Sequence, residues 1–135
     1  MSSLLKISEA GTLALHAAAL LAANSQKHLS VHDIAVTLHA SEHHLAKVLQ
    51  RLTKAGIVVS VRGPKGGFLL AKPPENFSLL EVFEAMEGPI GEPKCLLSLE
   101  TCAVGRCMMG DAFVQINDLI RDRLKNANLS QFKRC

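Results

Sequence analysis

Residues 41–70 read SEHHLAKVLQRLTKAGIVVSVRGPKGGFLL. Ser41 offers a hydroxyl to the free amides of a first helical turn, and Leu45, Val48, Leu49 and Leu52 recur at i, i+3, i+4 and i+7, the stripe of an amphipathic helix. Ala55-Gly56 ends that helix, because glycine takes the left-handed stop without a Cβ penalty. The β-branched run from Ile57 to Val61 prefers a strand, and Phe68-Leu69-Leu70 supplies a return strand. Between them Arg62-Gly63-Pro64-Lys65-Gly66-Gly67 forms the basic, glycine-rich tip of a β-hairpin. The helix turns His43, Lys47, Gln50, Arg51 and Lys54 outward.

Upstream, two more helices are expected. The first runs from about Ser8 to Asn24, rich in Ala and Leu and apolar almost all round, so most of its surface must be covered. The second starts at Ser30, with Asp33 at the third position completing a capping box, and turns Ile34, Ala35 and Leu38 inward. Only about two residues separate it from the helix that opens at Ser41, a tight turn that fixes the angle between the two. Three helices followed at once by a basic hairpin is the chain order of a winged helix-turn-helix.

That order gives the polar face a chemistry. The third helix can enter a major groove, where Lys47 and Arg51 reach guanine edges or phosphates and Gln50 bonds adenine in a bidentate way. Ser41 and His43 lie at its entry. At the hairpin tip Arg62 and Lys65 supply charge, while Gly66 and its neighbouring glycines leave no side chain between backbone and phosphate. A polar face on an amphipathic helix is more often merely solvated, and it is the wing that favours DNA. A Walker-type phosphate loop is disfavoured, because it needs Gly-x-x-x-x-Gly-Lys-[Ser/Thr] between a strand and a helix and this glycine loop sits between two strands. His39, His43 and His44 straddle the turn into the DNA-facing helix, which suits DNA or solvent contact better than a metal.

Downstream, Lys72-Pro73-Pro74-Glu75-Asn76 breaks regular structure. A short helix follows from the Ser78 cap, with Glu81 completing a second capping box, to about Glu87. An irregular loop carries Cys95, Cys102 and Cys107. A last helix is expected over Met108 to Asn126, roughly 28 Å at about 1.5 Å per residue, with Phe113, Ile116, Leu119, Ile120 and Leu124 inward. The fold class is therefore mainly α, with a small β-hairpin wing. Residues 1–72 form the DNA-binding region and 73–135 the cysteine loop and final helix of one compact domain.

Composition agrees with a single domain: 135 residues, 48% hydrophobic and 20% charged. The net charge of +3 hides an asymmetry, since residues 1–72 carry eight Lys/Arg against three Asp/Glu and residues 73–135 seven against nine. The basic half is the footprint of a polyanion partner. His16 interrupts the most apolar run, Leu13 to Ala23, and Glu9 precedes it, so neither a membrane span nor a secretory signal is expected. The expected compartment is the cytoplasm, where four cysteines read as thiols, metal ligands or redox sensors rather than a disulfide framework. No nucleophile, base and orienting acid form a recognisable arrangement, and no enzyme is expected.

The run from Ser41 to Leu70 resembles the IscR/NsrR group of bacterial transcription regulators, the Rrf-two family. Its most specific pieces are Ala55-Gly56 and Val61-Arg62-Gly63-Pro64-Lys65-Gly66-Gly67-Phe68; the helix opening at Leu79 and Met86-Glu87-Gly88 also match. The resemblance implies a homodimer on a pseudo-palindromic double-stranded operator, with long C-terminal helices crossing at the dimer interface.

The three loop cysteines are spaced Cys-x6-Cys-x4-Cys. Structural zinc usually recruits two Cys-x2-4-Cys pairs, of which the loop offers one, Cys102 and Cys107, whereas three thiolates on one loop can converge on an iron–sulfur cluster and leave its fourth position to another ligand. In the resembling family such a loop holds a 2Fe–2S or 4Fe–4S cluster, more commonly with x5 and x5 spacing. Some members ligate through a His three residues after the third cysteine, a position held here by Gly110. Others use an acidic residue on the first helix of the partner subunit, which corresponds to Thr12. One branch uses a His one turn later, which corresponds to His16. Glu9, Asp111, Cys135 and an external thiol are competing ligands. Two further functions stay open: a regulator that switches by disulfide formation, and a small metal or redox protein with no DNA role.

Overall fold

The computed structural model describes residues 7–91 and 103–132. Five helices and one hairpin follow in the order α1 (Glu9–Ala23), α2 (Val31–Leu38), α3 (Glu42–Lys54), β1 (Val58–Val61), β2 (Gly67–Leu70), α4 (Leu79–Glu87) and α5 (Ala112–Asn126). Short 3-10 turns lie at Pro74–Asn76 and Leu129–Phe132.

Each of the first four helices starts on a serine. Ser8, Ser30, Ser41 and Ser78 accept from the amides of Gly11, Asp33, His44 and Glu81, and both expected capping boxes, Ser30/Asp33 and Ser78/Glu81, are closed in both directions. Such a cap stabilises its helix by about 1 kcal/mol. At the other end of α3, Ala55 is the C-cap and Gly56 follows at φ 77°. The α2 to α3 turn solves the same problem differently, for His39 takes the left-handed conformation at φ 52°.

One core joins both halves of the chain. Ala14, Ala17, Ala18 and Leu21 of α1 meet Ile34 of α2 and Leu45, Val48, Leu49 and Leu52 of α3. Phe77, Val82, Met86 and Leu129 from the later half are buried in the same cluster. The proline-rich segment after the hairpin is accordingly tied down: Leu129 donates its amide to Phe77 (3.0 Å) and Leu79 to Ala127 (2.9 Å).

The hairpin pairs Val58 with Leu70 and Val61 with Gly67. It is also anchored to the segment before α2, where Leu29 and Phe68 exchange amide-to-carbonyl bonds of 3.1 and 2.8 Å. Gly67 lies so close to this bridge that a Cβ would stand 2.5 Å from the Leu29 carbonyl oxygen.

The C-terminal helix departs from expectation in two ways. It begins at Ala112 rather than Met108, because residues 103–111 form turns in which Gly110 sits at φ 52° and Ala112 bonds back to Met109. Among the described residues its apolar stripe is also only partly covered: α5 has no buried residue, Leu119 is 71% exposed and Ile116 is 40% exposed. Phe113, Ile120 and Leu124 are half-buried.

Candidate nucleic-acid interface and cysteine site

The buried stripe of α3 fixes what its opposite side presents. With Leu45, Val48, Leu49 and Leu52 in the core, His43, Lys47, Gln50 and Lys54 are all exposed, and so is Ser41 at the cap. Arg62 and Lys65 are exposed at the wing tip, where the half-buried Gly66 donates its amide to Gly63 (2.9 Å). Because Leu29 holds the hairpin and only Ala55 to Ile57 separate it from α3, the wing has a set position beside the helix. Two basic, exposed elements on one framework suit the backbone and groove contacts of duplex DNA.

Arg51 and His44 stand on the flank of α3 rather than at its crest. Arg51 is exposed, yet its Nη2 donates to the Met86 carbonyl in the last turn of α4 at 2.8 Å. His44 Nδ1 lies 3.5 Å from Glu9 Oε1 at the start of α1. His32 of α2 meets Glu42 at the start of α3, and this hydrogen bond, then the carboxylate's charge, raises the His32 pKa above its ordinary value. In the neighbouring cap, bonds with the Ser30 side chain and backbone hold Asp33 below the usual carboxylate range.

The segment leading to the cysteines is tied down on its near side. Glu87 accepts from the Ser8 amide at 3.1 Å and from the Ser8 hydroxyl. Arg121 and Asn117 of α5 donate to the carbonyls of Ile90 (2.6 Å) and Gly91 (2.9 Å). Cys95, Cys102 and Cys135 lie outside the described residues, and Cys107 is exposed with a free thiol. Among the described residues no group of three or more His, Cys, Asp and Glu side chains is gathered as a metal site.

His16 lies on an exposed turn of α1, with Nδ1 2.7 Å from the Thr12 carbonyl oxygen. A carbonyl only accepts, so Nδ1 is the donor in this contact, and in a neutral ring the lone pair is then on Nε2. The ring borders a cavity of about 210 Å³ walled by Leu15, Ala19, Leu79 and Phe132. Glu9, a competing ligand, faces His44 instead, while Asp111 is exposed at the start of α5.

These contacts had no local signature. Arg51 and Met86 are 35 positions apart and Ser8 and Glu87 are 79 apart, beyond any spacing rule. The caps, by contrast, are three-residue patterns.

A three-helix core, a basic third helix and an anchored wing define a winged helix-turn-helix protein. The sequence profile of the Rrf2 family, described as "Iron-dependent Transcriptional regulator", matches residues 7–134. The chain belongs to this family of transcription regulators. It is 31% identical to the HTH-type transcriptional regulator NsrR of Geobacillus kaustophilus over 84% of this chain and 87% of that one. It is 33% identical to the HTH-type transcriptional regulator IscR of Pectobacterium atrosepticum over 73% of this chain and 60% of that one. In structure it is similar to CymR, the global cysteine regulator of B. subtilis, with a TM-score of 0.80 and 27% identity over 97% of this chain and all of that one. Among the described residues no helix is long and apolar enough to cross a membrane.

Proposed function

We propose that the chain is a homodimeric, DNA-binding regulator that senses redox poise, nitric oxide or iron–sulfur status through an iron–sulfur cluster, 2Fe–2S or 4Fe–4S. Cys95, Cys102 and Cys107 are its thiolate ligands and His16 its fourth. The observation that carries the cluster is the His16 ring. Metal-binding histidines almost always donate their second ring N–H to a carbonyl or carboxylate, which fixes the tautomer and aims the free nitrogen. The Thr12 carbonyl does this here, so His16 fits the vacancy that Gly110 and Thr12 leave in the ligand set.

When bound, such a cluster supplies a centre whose loss or oxidation is a signal. The chain's own residues convert the state of the loop into DNA affinity. Arg121, Asn117 and Glu87 hold the loop's near end to α5 and α1. The exposed part of the apolar face of α5 is where a second copy packs, and the loop's state biases the angle between the two DNA-reading heads. Ser41, His43, Lys47, Gln50, Arg51, Arg62, Lys65 and Gly66 meet the operator.

Duplex selected from a random-sequence pool, titrated at several salt concentrations with wild type, Lys47→Ala and Arg62→Ala, tests the DNA half. Each lost phosphate contact lowers the salt slope by about 1. Equal slopes in all three proteins would remove these residues from the interface. A protein that takes up no iron and stays colourless on anaerobic reconstitution would remove the cluster.

The likeness to Staphylococcus aureus CymR in its oxidized form favours a second reading. In it Cys102 pairs with Cys107 or Cys95 on oxidation, and DNA binding follows the disulfide. Non-reducing mass mapping separates the two.

A further inference from the structure

The outward face of α3 and the segment entering the cysteine loop share one side chain. Arg51 follows Lys47 by one turn and is exposed, so its guanidinium is reachable from the DNA side. The same guanidinium holds the Met86 carbonyl at 2.8 Å. Carbonyls in the last turn of a helix have no partner within the helix, and that end carries the negative pole of the helix dipole. Arg51 is thus a cationic cap for α4, supplied from the recognition helix. The strip it caps, Met86 to Gly91, is also held through Glu87 by α1 and through Ile90 and Gly91 by α5.

We infer that Arg51 is a bridging residue, which takes a DNA phosphate with the free edge of its fork while keeping the Met86 carbonyl. A guanidinium has five N–H donors in a rigid plane, and one bond from Nη2 leaves the opposite edge open. DNA binding and order in the last turn of α4 therefore reinforce each other. By linkage, whatever loosens Met86 to Gly91 weakens DNA binding by the factor with which DNA tightens that strip. This coupling rests on the DNA-binding reading above and applies equally to a cluster or a thiol switch.

Amide hydrogen exchange of the full chain, free and bound to duplex selected by wild type from a random-sequence pool, tests it in wild type, Arg51→Ala and Arg51→Lys. Lysine keeps the charge as a compact ammonium without the fork, so it retains phosphate attraction but cannot hold both partners in this geometry. In wild type, exchange at residues 86–91 should slow about fivefold to tenfold on binding DNA, a typical coupling strength. Both variants should lose that slowing, while the Leu79 and Leu129 amides, bonded to the Ala127 and Phe77 carbonyls, behave alike in all three proteins. Equal slowing at 86–91 in the variants would overturn the bridge and leave DNA binding intact. Faster exchange there in the wild-type complex would show the guanidinium leaving Met86 for DNA and would likewise overturn the bridge. Wild type that selects no duplex would overturn the DNA-binding reading and the bridge together.

Discussion

His32 Nδ1 on α2 lies 2.5 Å from Glu42 Oε1 in the first turn of α3, an ion pair across the turn of the helix-turn-helix. The pair raises the His32 pKa above 6.5. A raised histidine contributes stability that is fully present below 6.5 and is lost as pH rises through the higher folded value. An NMR titration should therefore place His32 above 6.5 in wild type and nearer 6.5 in Glu42→Gln. The pair is exposed, so added salt should weaken the difference. Identical titrations in the two proteins would show that the contact does not hold in solution.

Gly67 packs its Cα against the Leu29 backbone, and backbone cannot swing aside as a side-chain tip can. Gly67→Ala should destabilise by roughly 1–3 kcal/mol, the usual range for overpacking. The same change should lower duplex affinity, because the wing loses its tie to Leu29. Denaturant unfolding and a duplex titration read the two effects separately.

His39 pays the left-handed conformation's steric penalty at φ 52°. His39→Gly should stabilise the protein by about 0.5–1 kcal/mol, the glycine's extra unfolded-state freedom offsetting part of the gain. The expected signature is a higher denaturant midpoint at unchanged slope.

Leu119 is 71% exposed on α5, and the dimer reading places it in the subunit contact. Leu119→Glu should leave the helical circular dichroism intact and shift sedimentation from dimer towards monomer. A dimer of undiminished affinity would move the interface elsewhere.

Much of the fold was legible because its determinants are local. Ser30/Asp33 and Ser78/Glu81 are readable at i, i+3, and the stripe from Leu45 to Leu52 declares both the buried and the outward side of α3. The start of α5 was misplaced because Met108 and Met109 are apolar and helix-compatible, and the stronger local signals behind them, a glycine free to turn left-handed at Gly110 and an N-cap residue type at Asp111, were passed over. The stripe of α5 was legible as apolar, and the crossing of C-terminal helices that the family resemblance implies agrees with Ile116 and Leu119 standing exposed, although spacing alone had turned both inward. His39 was hidden for a different reason: a left-handed cap usually calls for Gly or Asn. Arg51 could be placed on the helix from spacing alone, whereas its bond to Met86 exists only once α3 and α4 are packed together. His16 was singled out from its position in a family pattern, whereas its contact with the Thr12 carbonyl is visible only in the folded helix.

The most direct measurement is anaerobic reconstitution of wild type beside His16→Ala, with iron content, visible spectrum and duplex affinity read on the same samples. The proposed ligand set predicts that wild type takes up iron, shows cluster absorption and binds duplex differently with and without it, and that His16→Ala gives a less stable cluster with an altered spectrum. Equal iron content, spectrum and cluster lifetime in the two proteins would contradict His16 as the fourth ligand, and a wild type that binds no iron would contradict the cluster itself.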